Sequence, residues 1–487
     1  MPVLAGLLAA VLGAVHLVLL PHSGTDLAAQ VARASFARDA PLTPVDLSWY
    51  AGVHPYAYSL LSPAVMAALG VGLAGVVAAV GGAVLLALLL RGAPHPLLGA
   101  LAGAVFSVAD VVSGRTTFAL GAVAALGALL LLKRLPWACL LAMLSGLLSP
   151  VAAAFLGLAA LVLVLHRRPG GWLLGLAASV PVVVLAVLFP SGGIQPYRPS
   201  SAGWAVAAAA LIAVLSRSPL LRTGSLIYGL AVVALVFTRD PFGSNVLRLA
   251  VLLAAPLLLA WSRRPLLLAV VAALAVGQWQ VRPTLADLRA TPAPTFRALD
   301  RALLRLDARR VEVVPLRDHG EAAEVARVVP LARGWSRQID YADNALFYRG
   351  ILTPATYRTW LLAHAVDTVA LPLDSPVDMG GRREAALLQA DLTGLQPVWS
   401  DRHWQVWKVV GARPLVTAPA TVLSAGRTTL LVRSEVAATV DVDVRWSRWL
   451  SVTGPACVER RGDRTRLVFR SSGVVVLGSG LIPHGHC

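Results

Sequence analysis

Acidic side chains are scarce in the first 284 residues of this chain, where only five occur: Asp26, Asp39, Asp46, Asp110 and Asp240. Charged residues make up 14% of the whole sequence and apolar residues 57%, and the mean hydropathy is +0.72. This composition excludes an ordinary soluble domain. Apolar runs of roughly 15–27 residues recur from residue 3 to residue 280, and runs of that length cross a bilayer as helices. The sequence therefore predicts a polytopic α-helical membrane protein.

The local motifs of common nucleotide and hydrolase sites are also absent. The chain contains no Gly-x-x-x-x-Gly-Lys loop, no Gly-x-Ser-x-Gly elbow and no dinucleotide fingerprint. Zinc-ligand spacing is absent too, since only three cysteines occur and His484-Gly485-His486 is a weak chelator at best. Cys139 lies in an apolar run, whereas Cys457 and Cys487 either form a disulfide or remain two thiols. The chain does not carry its own nucleotide-hydrolysing site.

The net charge of +17 does not indicate a nucleic-acid partner, because its distribution is wrong for one. Residues 285–487 hold 26 basic and 20 acidic side chains and no concentrated basic stripe. In residues 1–284 one alternate set of connections carries basic side chains and no acid, and all five acids fall on the other side. This is the positive-inside pattern. It predicts a plasma-membrane protein with a cytoplasmic N-terminus, and it places the 21–63 loop and the C-terminal region outside. The basic positions are Arg91, Lys133-Arg134, Arg167-Arg168, Arg217 with Arg222, and Arg263-Arg264.

The apolar runs predict about eleven spans. Residues 138–165 are too long for one upright span, and Ser149-Pro150 is expected to divide them into two short helices. The alternative, a single tilted span, would reverse the side of every later connection. The first run has no basic residues before it, so we expect a span rather than a cleaved signal peptide. The predicted spans are 3–20, 64–90, 97–113, 117–132, 138–149, 150–165, 172–190, 202–216, 223–237, 245–261 and 265–281.

The C-terminal region changes character at about residue 285. We expect an extracytoplasmic α/β domain over 285–412, beginning with an amphipathic helix at 285–310. Strands are predicted at 311–315, 368–372 and 398–410, and a helix at 351–365 that begins with Thr353-Pro354. Short alternating segments with Gly, Ser and Thr between them predict a β-sandwich over 413–487.

Polar groups that the predicted topology brings to the outer surface are the candidate functional residues. Asp26 lies next to the first span, and an acid at a membrane surface costs desolvation energy. Asp39 and Asp46 can instead simply hydrate a long loop. Arg115 and Arg248 suit a phosphate group, although Arg115 can also pair with Asp110, and either arginine can extend to the interface. The aromatic run from Trp49 to Tyr58 suits sugar stacking or an interfacial belt. Further candidates for substrate binding are His54, Gln195 and Tyr197.

The order of these parts resembles the GT-C superfamily of integral-membrane glycosyltransferases. Gly24-Thr25-Asp26 and Gly52-Val53-His54-Pro55-Tyr56 are similar to actinobacterial members of that group, as are Leu331-Ala332-Arg333-Gly334-Trp335 and Trp446-Ser447-Arg448-Trp449. The C-terminal part is similar to that of YfhO-like membrane proteins. Many GT-C loops carry a second acid beside the first, whereas Leu27, Ala28, Ala29 and Gln30 follow Asp26 here.

The resemblance implies a polyprenyl-phosphate-linked sugar as donor and a cell-envelope glycan, lipid or protein as acceptor. Asp26 would be the catalytic base, with Asp46 as the next candidate, and Arg115 or Arg248 would bind the donor phosphate. Trp49, Tyr50, His54, Tyr56, Gln195 and Tyr197 would contact substrate. No organic cofactor is implied, and a divalent metal is an open alternative for Asp26. Two other functions remain open, namely a transporter or flippase of envelope precursors and a non-catalytic assembly protein.

Overall fold

The computed structural model describes residues 1–21, 24–262, 266–289, 295–390 and 392–487. The chain forms two compact units. The first contains residues 1–30 and 57–290, and the second contains residues 31–56 and 291–487. The predicted boundary near residue 285 is therefore close to the observed one. The long first loop, however, belongs mainly to the second unit rather than to the helical domain.

The first unit is helical. Its apolar helices pack through small residues, and Ala5, Ala9, Ala79, Ala100 and Ala128 are almost fully buried. Small side chains allow helix backbones to approach closely where the hydrophobic effect contributes little. Its helices are α1 (Pro2–Leu19), α2 (Leu27–Asp39, continuing into the second unit), α3 (Ser62–Leu69), α4 (Val71–Leu89), α5 (Pro96–Val112), α6 (Thr116–Leu130), α7 (Leu135–Leu148), α8 (Pro150–Leu165), α9 (Gly171–Leu188), α10 (Pro199–Leu215), α11 (Pro219–Phe237), α12 (Leu247–Trp261) and α13 (Leu266–Leu288).

Six segments among the described residues are long and apolar enough to cross a membrane. They comprise α1, α9, α11 and α13 with Val71–Gly92 and Gly243–Trp261, where α4 and α12 each join a short 3-10 turn. The helices α5, α6, α7, α8 and α10 are also apolar but shorter. Each of these eleven helices overlaps one predicted span, although some bounds differ by several residues. The number of about eleven crossings stays a prediction, because a helix of fewer than about 17 residues falls short of a typical hydrocarbon core.

Two breaks between helices show how local sequence sets the helix ends. The predicted division at Ser149-Pro150 is confirmed: α7 ends at Leu148, and the Ser149 side chain accepts a hydrogen bond from the Ala152 N–H at the start of α8. The second break was not predicted. Gly70 adopts φ +82° between α3 and α4, so the expected span 64–90 is two helices. A positive φ favours glycine, which has no Cβ to clash with the backbone.

Alternate connections of the first unit meet at one end, which we call the basic end. The His95 N–H donates to the Ala260 carbonyl at 3.0 Å, and the Arg217 N–H donates to the Trp261 carbonyl at 2.9 Å. His166 Nε2 lies 2.8 Å from the Thr223 hydroxyl. The predicted separation of charge is therefore present in the fold, although Arg263 and Arg264 lie outside the described residues. The basic end carries Arg91, Lys133, Arg134, Arg167, Arg168, Arg217 and Arg222.

The remaining connections meet at the opposite end, which we call the acidic end. The Asp26 N–H donates to the Ser113 carbonyl at 3.2 Å, and the Leu60 and Leu61 N–H groups both donate to the Leu147 carbonyl. At the same end the Gln195 N–H donates to the Asp240 carbonyl at 3.0 Å. The three acids of the first unit that precede α13 (Asp26, Asp110 and Asp240) all belong to this end.

The second unit begins with an α/β part. A four-stranded sheet has the order β1-β2-β4-β3, with β1 and β2 parallel and the other neighbours antiparallel. The elements are α14 (Arg297–Arg305), β1 (Val311–Val313), α15 (Gly320–Ala323), α16 (Arg337–Asp343), α17 (Pro354–Ala363), β2 (Thr368–Pro372), α18 (Arg382–Gln389), β3 (Leu395–Ser400) and β4 (Trp404–Val409). The helix predicted at 351–365 is present, and Thr353 caps it through a capping box.

Two predictions in this part were wrong in detail. The single strand expected over 398–410 is the end of β3 and the whole of β4, because Asp401 accepts hydrogen bonds from the His403 and Trp404 N–H groups and closes a turn. The single helix expected over 285–310 is the end of α13 and the separate α14. Residues 290–294 of that prediction lie outside the described residues.

The last part of the second unit consists of two antiparallel sheets, ordered β7-β10-β9 and β5-β6-β11-β8. Buried residues of both sheets form one apolar core that includes Val440, Val458, Leu467 and Leu477, as expected for a β-sandwich. Cys457 and Cys487 form a disulfide that fixes the last residue to β9. The strands are β5 (Thr421–Ala425), β6 (Leu430–Ser434), β7 (Ala438–Arg445), β8 (Leu450–Thr453), β9 (Ala456–Arg461), β10 (Arg464–Phe469) and β11 (Gly473–Ser479).

The two ends of the helical unit give a topology test. We expect a cysteine at Arg168, at the basic end, to resist an impermeant thiol reagent added to intact cells, and a cysteine at Ser191, in the α9–α10 connection, to react. Both positions are exposed, and the native cysteines would be replaced in the background. The measurement is labelling before and after permeabilisation. Equal labelling of both positions in intact cells would contradict the predicted topology.

Candidate functional site

The segment Gly24-Thr25-Asp26 packs directly on the turn between α5 and α6. A Cβ on Gly24 would lie 2.6 Å from the Val112 carbonyl oxygen, and one on Gly114 would lie 2.3 Å from the Leu27 backbone nitrogen. Gly114 also has φ +82°. Glycine on both sides therefore allows the two backbones to touch, and the Asp26 N–H donates across this contact. The glycine before Asp26 has a packing role that the sequence motif alone did not reveal.

Asp26 takes part in a cluster of four charges at the acidic end. Its Oδ2 lies 2.9 Å from Arg248 Nη2 and 3.7 Å from Arg115 Nε. Arg115 Nη1 in turn lies 3.2 Å from Asp110 Oδ1. The two arginine side chains are each 16% exposed, Asp26 is 25% exposed and Asp110 is 2% exposed. Two carboxylates and two guanidinium groups give this four-charge cluster no net formal charge.

The structure thus brings together three of the predicted site residues, Asp26, Arg115 and Arg248, from separate parts of the chain. The alternative pairing of Arg115 with Asp110 is also present. Asn245 orients Arg248, because the Asn245 Oδ1 accepts a hydrogen bond from the Arg248 Nε at 3.1 Å. Arg248 Nη1 and Arg115 Nη2 make no hydrogen bond within the described part of the chain.

Three further side chains hold this region in place. Gln30, one turn after Asp26, accepts a hydrogen bond from the Thr117 hydroxyl at 2.5 Å and donates to the Tyr58 hydroxyl at 3.2 Å. This joins α2 to α6 and to the end of the first loop. Gln30 is fully buried, and a buried amide needs such partners. Sequence reasoning missed Gln30 and Thr117, although a lone amide in an apolar stretch was the available signal.

A large apolar cavity of about 460 Å³ lies inside the helical unit. Its lining includes Leu249, Ala250 and Leu253, which follow Arg248 on α12, and Phe118 on α6. The Arg248 guanidinium carbon lies 5.8 Å from the centre of the Phe118 ring. The cavity lining and the four-charge cluster therefore share one aromatic side chain. Phe118 carries no polar group, and sequence analysis had no signal for it.

Gln195 and Tyr197 lie in the α9–α10 connection of the same unit. Gln195 Nε2 donates to the Ser244 hydroxyl at 2.9 Å, next to Asn245. Tyr197 packs against the apolar core, and burial raises its pKa to about 12. Its hydroxyl has no hydrogen-bond partner among the described residues. Partial burial acts to raise the pKa of Asp240, but hydrogen bonds from the Thr238 hydroxyl and from the Gly243 and Phe242 N–H groups outweigh it and lower that pKa.

The aromatic candidates of the first loop belong to the core of the second unit. Trp49 and Tyr50 are each 3% exposed. The Trp49 indole N–H donates to the Ala322 carbonyl at 3.1 Å, and the Tyr50 hydroxyl donates to the Gly334 carbonyl at 2.7 Å. Buried rings with internal partners are not available to stack on a sugar or to form an interfacial belt. Both expectations for Trp49 and Tyr50 are therefore replaced by a structural role.

Asp46 is likewise structural in this fold. It is 6% exposed, and its Oδ1 accepts from the Ser48 N–H at 2.9 Å and from the Ser48 hydroxyl. Burial raises its pKa, and the Arg427 charge and the Ser48 hydrogen bonds only partly oppose that shift. The backbone N–H group of each of Asp46 and Val53 donates to the carbonyl of the other at 2.9 Å. These two hydrogen bonds close the turn that contains Trp49. A carboxylate enclosed in this way is a poor second candidate for the catalytic base.

His54 and Tyr56 are only partly buried and remain accessible candidates. His54 Nε2 lies 2.9 Å from the Ser447 hydroxyl, within the second unit. Burial raises the pKa of Tyr56. Nothing in these contacts assigns either residue to a substrate.

The residues around Asp26 do not suit a divalent cation. Across the described ranges no group of three or more His, Cys, Asp and Glu side chains is placed to hold a metal. The two carboxylates of the four-charge cluster are instead paired with guanidinium groups, which repel a cation. Hard divalent cations prefer several oxygen ligands without positive neighbours. The arrangement suits an anion that exchanges with a carboxylate.

No protein-family model matches the chain, and no curated protein matches it.

The close contact at Gly114 yields a stability test. We expect Gly114→Ala to lower the unfolding midpoint clearly, because a Cβ there meets the Leu27 backbone and the positive φ is unfavourable. The cost should be about 1–3 kcal/mol or more. Gly157→Ala is the matched control, since a Cβ at that position of α8 meets nothing within 4 Å. Thermal unfolding in detergent would measure both, and equal midpoints for the two variants would contradict the packing described.

Proposed function

We propose that this chain is an integral-membrane glycosyltransferase that uses a polyprenyl-phosphate-linked sugar as donor and a cell-envelope glycan, lipid or protein as acceptor. One observation carries the proposal: the four-charge cluster, with Asp26 and two arginines, adjoins an apolar cavity of about 460 Å³ through Phe118. A phosphate attached to a long hydrocarbon chain needs both kinds of surface in contact with each other.

The arginines support a phosphate site through their unused donors. Each guanidinium presents five N–H groups in a planar fork that matches phosphate oxygens. In the four-charge cluster Arg248 uses Nη2 and Nε, and Arg115 uses Nη1 and Nε. One terminal nitrogen of each remains for a ligand. Since the cluster has no net charge, an incoming phosphate competes with Asp26 for Arg248 and releases that carboxylate.

The cavity supports the hydrocarbon part of the donor. Its lining is mainly Leu, Ala, Val and Phe side chains from α4, α6, α8, α10, α11 and α12. An isoprenoid chain that moves from the bilayer to this lining stays in apolar surroundings, so the transfer exposes no hydrocarbon to water. The same lining has few polar groups that could bind a free sugar or an inorganic ion, and this favours a lipid-linked substrate.

The proposed chemistry assigns one role to each group. Asp26, released from Arg248, accepts the proton of an acceptor hydroxyl while that oxygen attacks the anomeric carbon of the donor. The bond from the anomeric carbon to the phosphate oxygen breaks, and the lipid phosphate leaves with the electron pair. Arg248 and Arg115 stabilise the negative charge that develops on that phosphate.

A transporter is less well supported by the same geometry. Transport sites are expected near the middle of the membrane, formed by broken helices with ionisable residues. Here Arg248 is the second residue of α12, Arg115 precedes α6, and Asp110 lies in the last turn of α5. The charges therefore lie at helix ends, where a surface reaction would place them.

The base assignment predicts the effect of Asp26→Asn. Turnover should fall by about 100-fold or more, because the amide cannot take a proton from the acceptor. The measurement is transfer of a labelled sugar from a polyprenyl-phosphate donor, followed in membranes containing equal amounts of folded protein. Asp39→Asn is the matched control on α2, since Asp39 is 57% exposed and its loss should leave turnover unchanged.

A charge exchange separates a catalytic Asp26 from a merely structural one. Asp26→Arg alone places three guanidinium groups together and should reduce the yield of folded protein. Combining it with Arg248→Asp restores a pair with reversed partners. We expect the exchanged variant to fold and remain inactive. Full activity in that variant, or in folded Asp26→Asn, would overturn the assignment.

The cavity makes a prediction about donor chain length. Ala159 lines the cavity, so Ala159→Leu should raise the KM for a long polyprenyl donor several-fold while kcat changes little. A donor with a short chain should be less affected. Ala154→Leu, on the exposed side of the same helix, is the control. Equal KM values of Ala159→Leu and Ala154→Leu for the long donor would show that the cavity does not bind the donor chain.

A further inference from the structure

A groove in the second unit combines positive charge with an aromatic ring. It lies between α14 and the edge strand β3 and has a volume of about 330 Å³. Arg301 and Arg305 line it from the helix, and Val398 and Trp399 line it from the strand. We call it the α14–β3 groove. None of these residues belongs to the site proposed above.

The two arginines of the groove are available to a ligand. Both are exposed, and within the described residues neither has a carboxylate within 4.0 Å. Arg301 Nε donates only to the Arg297 carbonyl of its own helix, at 3.1 Å. Other arginines of the second unit, for example Arg310, Arg333 and Arg337, are paired with acids. Two uncommitted guanidinium groups one turn apart attract an anion.

The strand side of the groove is not suited to adding another strand. β3 is at the edge of its sheet, but Pro397 lacks an N–H group, and a bulge lies between Pro397 and Trp399. Both features are ways in which edge strands avoid pairing with a further strand. An extended peptide that pairs through its backbone is therefore disfavoured, and the ligand must be recognised by side chains.

We infer that the α14–β3 groove binds an anionic saccharide, in which a carboxylate or phosphate contacts Arg301 and Arg305 and a sugar ring packs on Trp399. An indole provides a flat apolar surface for a sugar face, and the guanidinium forks provide charge-assisted hydrogen bonds. The inference rests on the proposed function for its biological meaning, since it makes the acceptor an acidic envelope glycan. The binding itself can be tested without any transfer reaction.

The test uses the full chain in nanodiscs of zwitterionic lipid and a fluorescent oligogalacturonate as the probe. We expect salt-sensitive binding that weakens by about tenfold or more in Arg301→Gln/Arg305→Gln, because charge-assisted hydrogen bonds are lost. Trp399→Ala should also weaken binding. Arg297→Gln is the matched control, because Arg297 is exposed on the same helix but does not line the groove. A neutral dextran oligosaccharide of equal length should bind far more weakly.

Three results would overturn the inference. The first is equal affinity of the double variant and of Arg297→Gln for the oligogalacturonate. The second is no binding of the oligogalacturonate by the unmodified chain. The third is equally tight groove-dependent binding of poly-glutamate, which would indicate an acidic peptide as the ligand. Binding is measured without donor lipid, so an inactive transferase does not affect the result. Conversely, a failure of glycan binding leaves the Asp26 experiments unchanged, and the two proposals can therefore fail separately.

Discussion

The ion pair between Asp26 and Arg248 joins residues 222 positions apart, and the arrangement of the acidic end depends on it. Charged side chains at the ends of apolar helices are costly unless they find partners. Arg248 cannot be left alone beside Phe118, and Asp110 is too deeply buried to be left without Arg115. The Asp26 carboxylate brings the net formal charge of the cluster to zero. Gly24 and Gly114 have no Cβ, and the backbone of the first loop can therefore come close enough for that pairing.

Charge balance also gives the cluster its chemical character. A site with excess positive charge would hold a phosphate tightly, and one with excess negative charge would hold a cation. A neutral set of two acids and two arginines favours neither, and under the proposed function it exchanges one anion for another. Under the proposed function the neighbouring apolar cavity selects an amphiphilic anion, because it keeps the hydrocarbon part of that anion away from water.

Much of the helical unit could be predicted because its signals are local. Apolar runs predicted the helices, and Ser149-Pro150 predicted the end of α7. Asp26, Arg115 and Arg248 stood out because charge is rare there, and their convergence followed from the sign pattern of the loops.

Phe118 and Thr117 could not be found in this way, since their importance comes from what packs next to them. The roles of Trp49 and Tyr50 were misjudged for the same reason: an aromatic pair near an apolar run has the same sequence pattern at an interface and in a core. The sequence analysis predicted one strand where β3 and β4 are two, because the turn between them is short. It is closed by the Asp401 side chain, which accepts hydrogen bonds from the His403 and Trp404 N–H groups.

Residues 31–56 are synthesised early, although they belong to a unit whose other residues, 291–487, are synthesised last. Synthesis proceeds at about 5–20 residues per second, so this segment emerges roughly 10–50 s before residue 291, where the rest of its unit begins. During that interval Trp49 and Tyr50 have no core to enter, and Asp46 has no Arg427. Trp49 and Tyr50 therefore lack their core partners while the apolar helices of the first unit are synthesised, and the second unit cannot fold in order from the N-terminus.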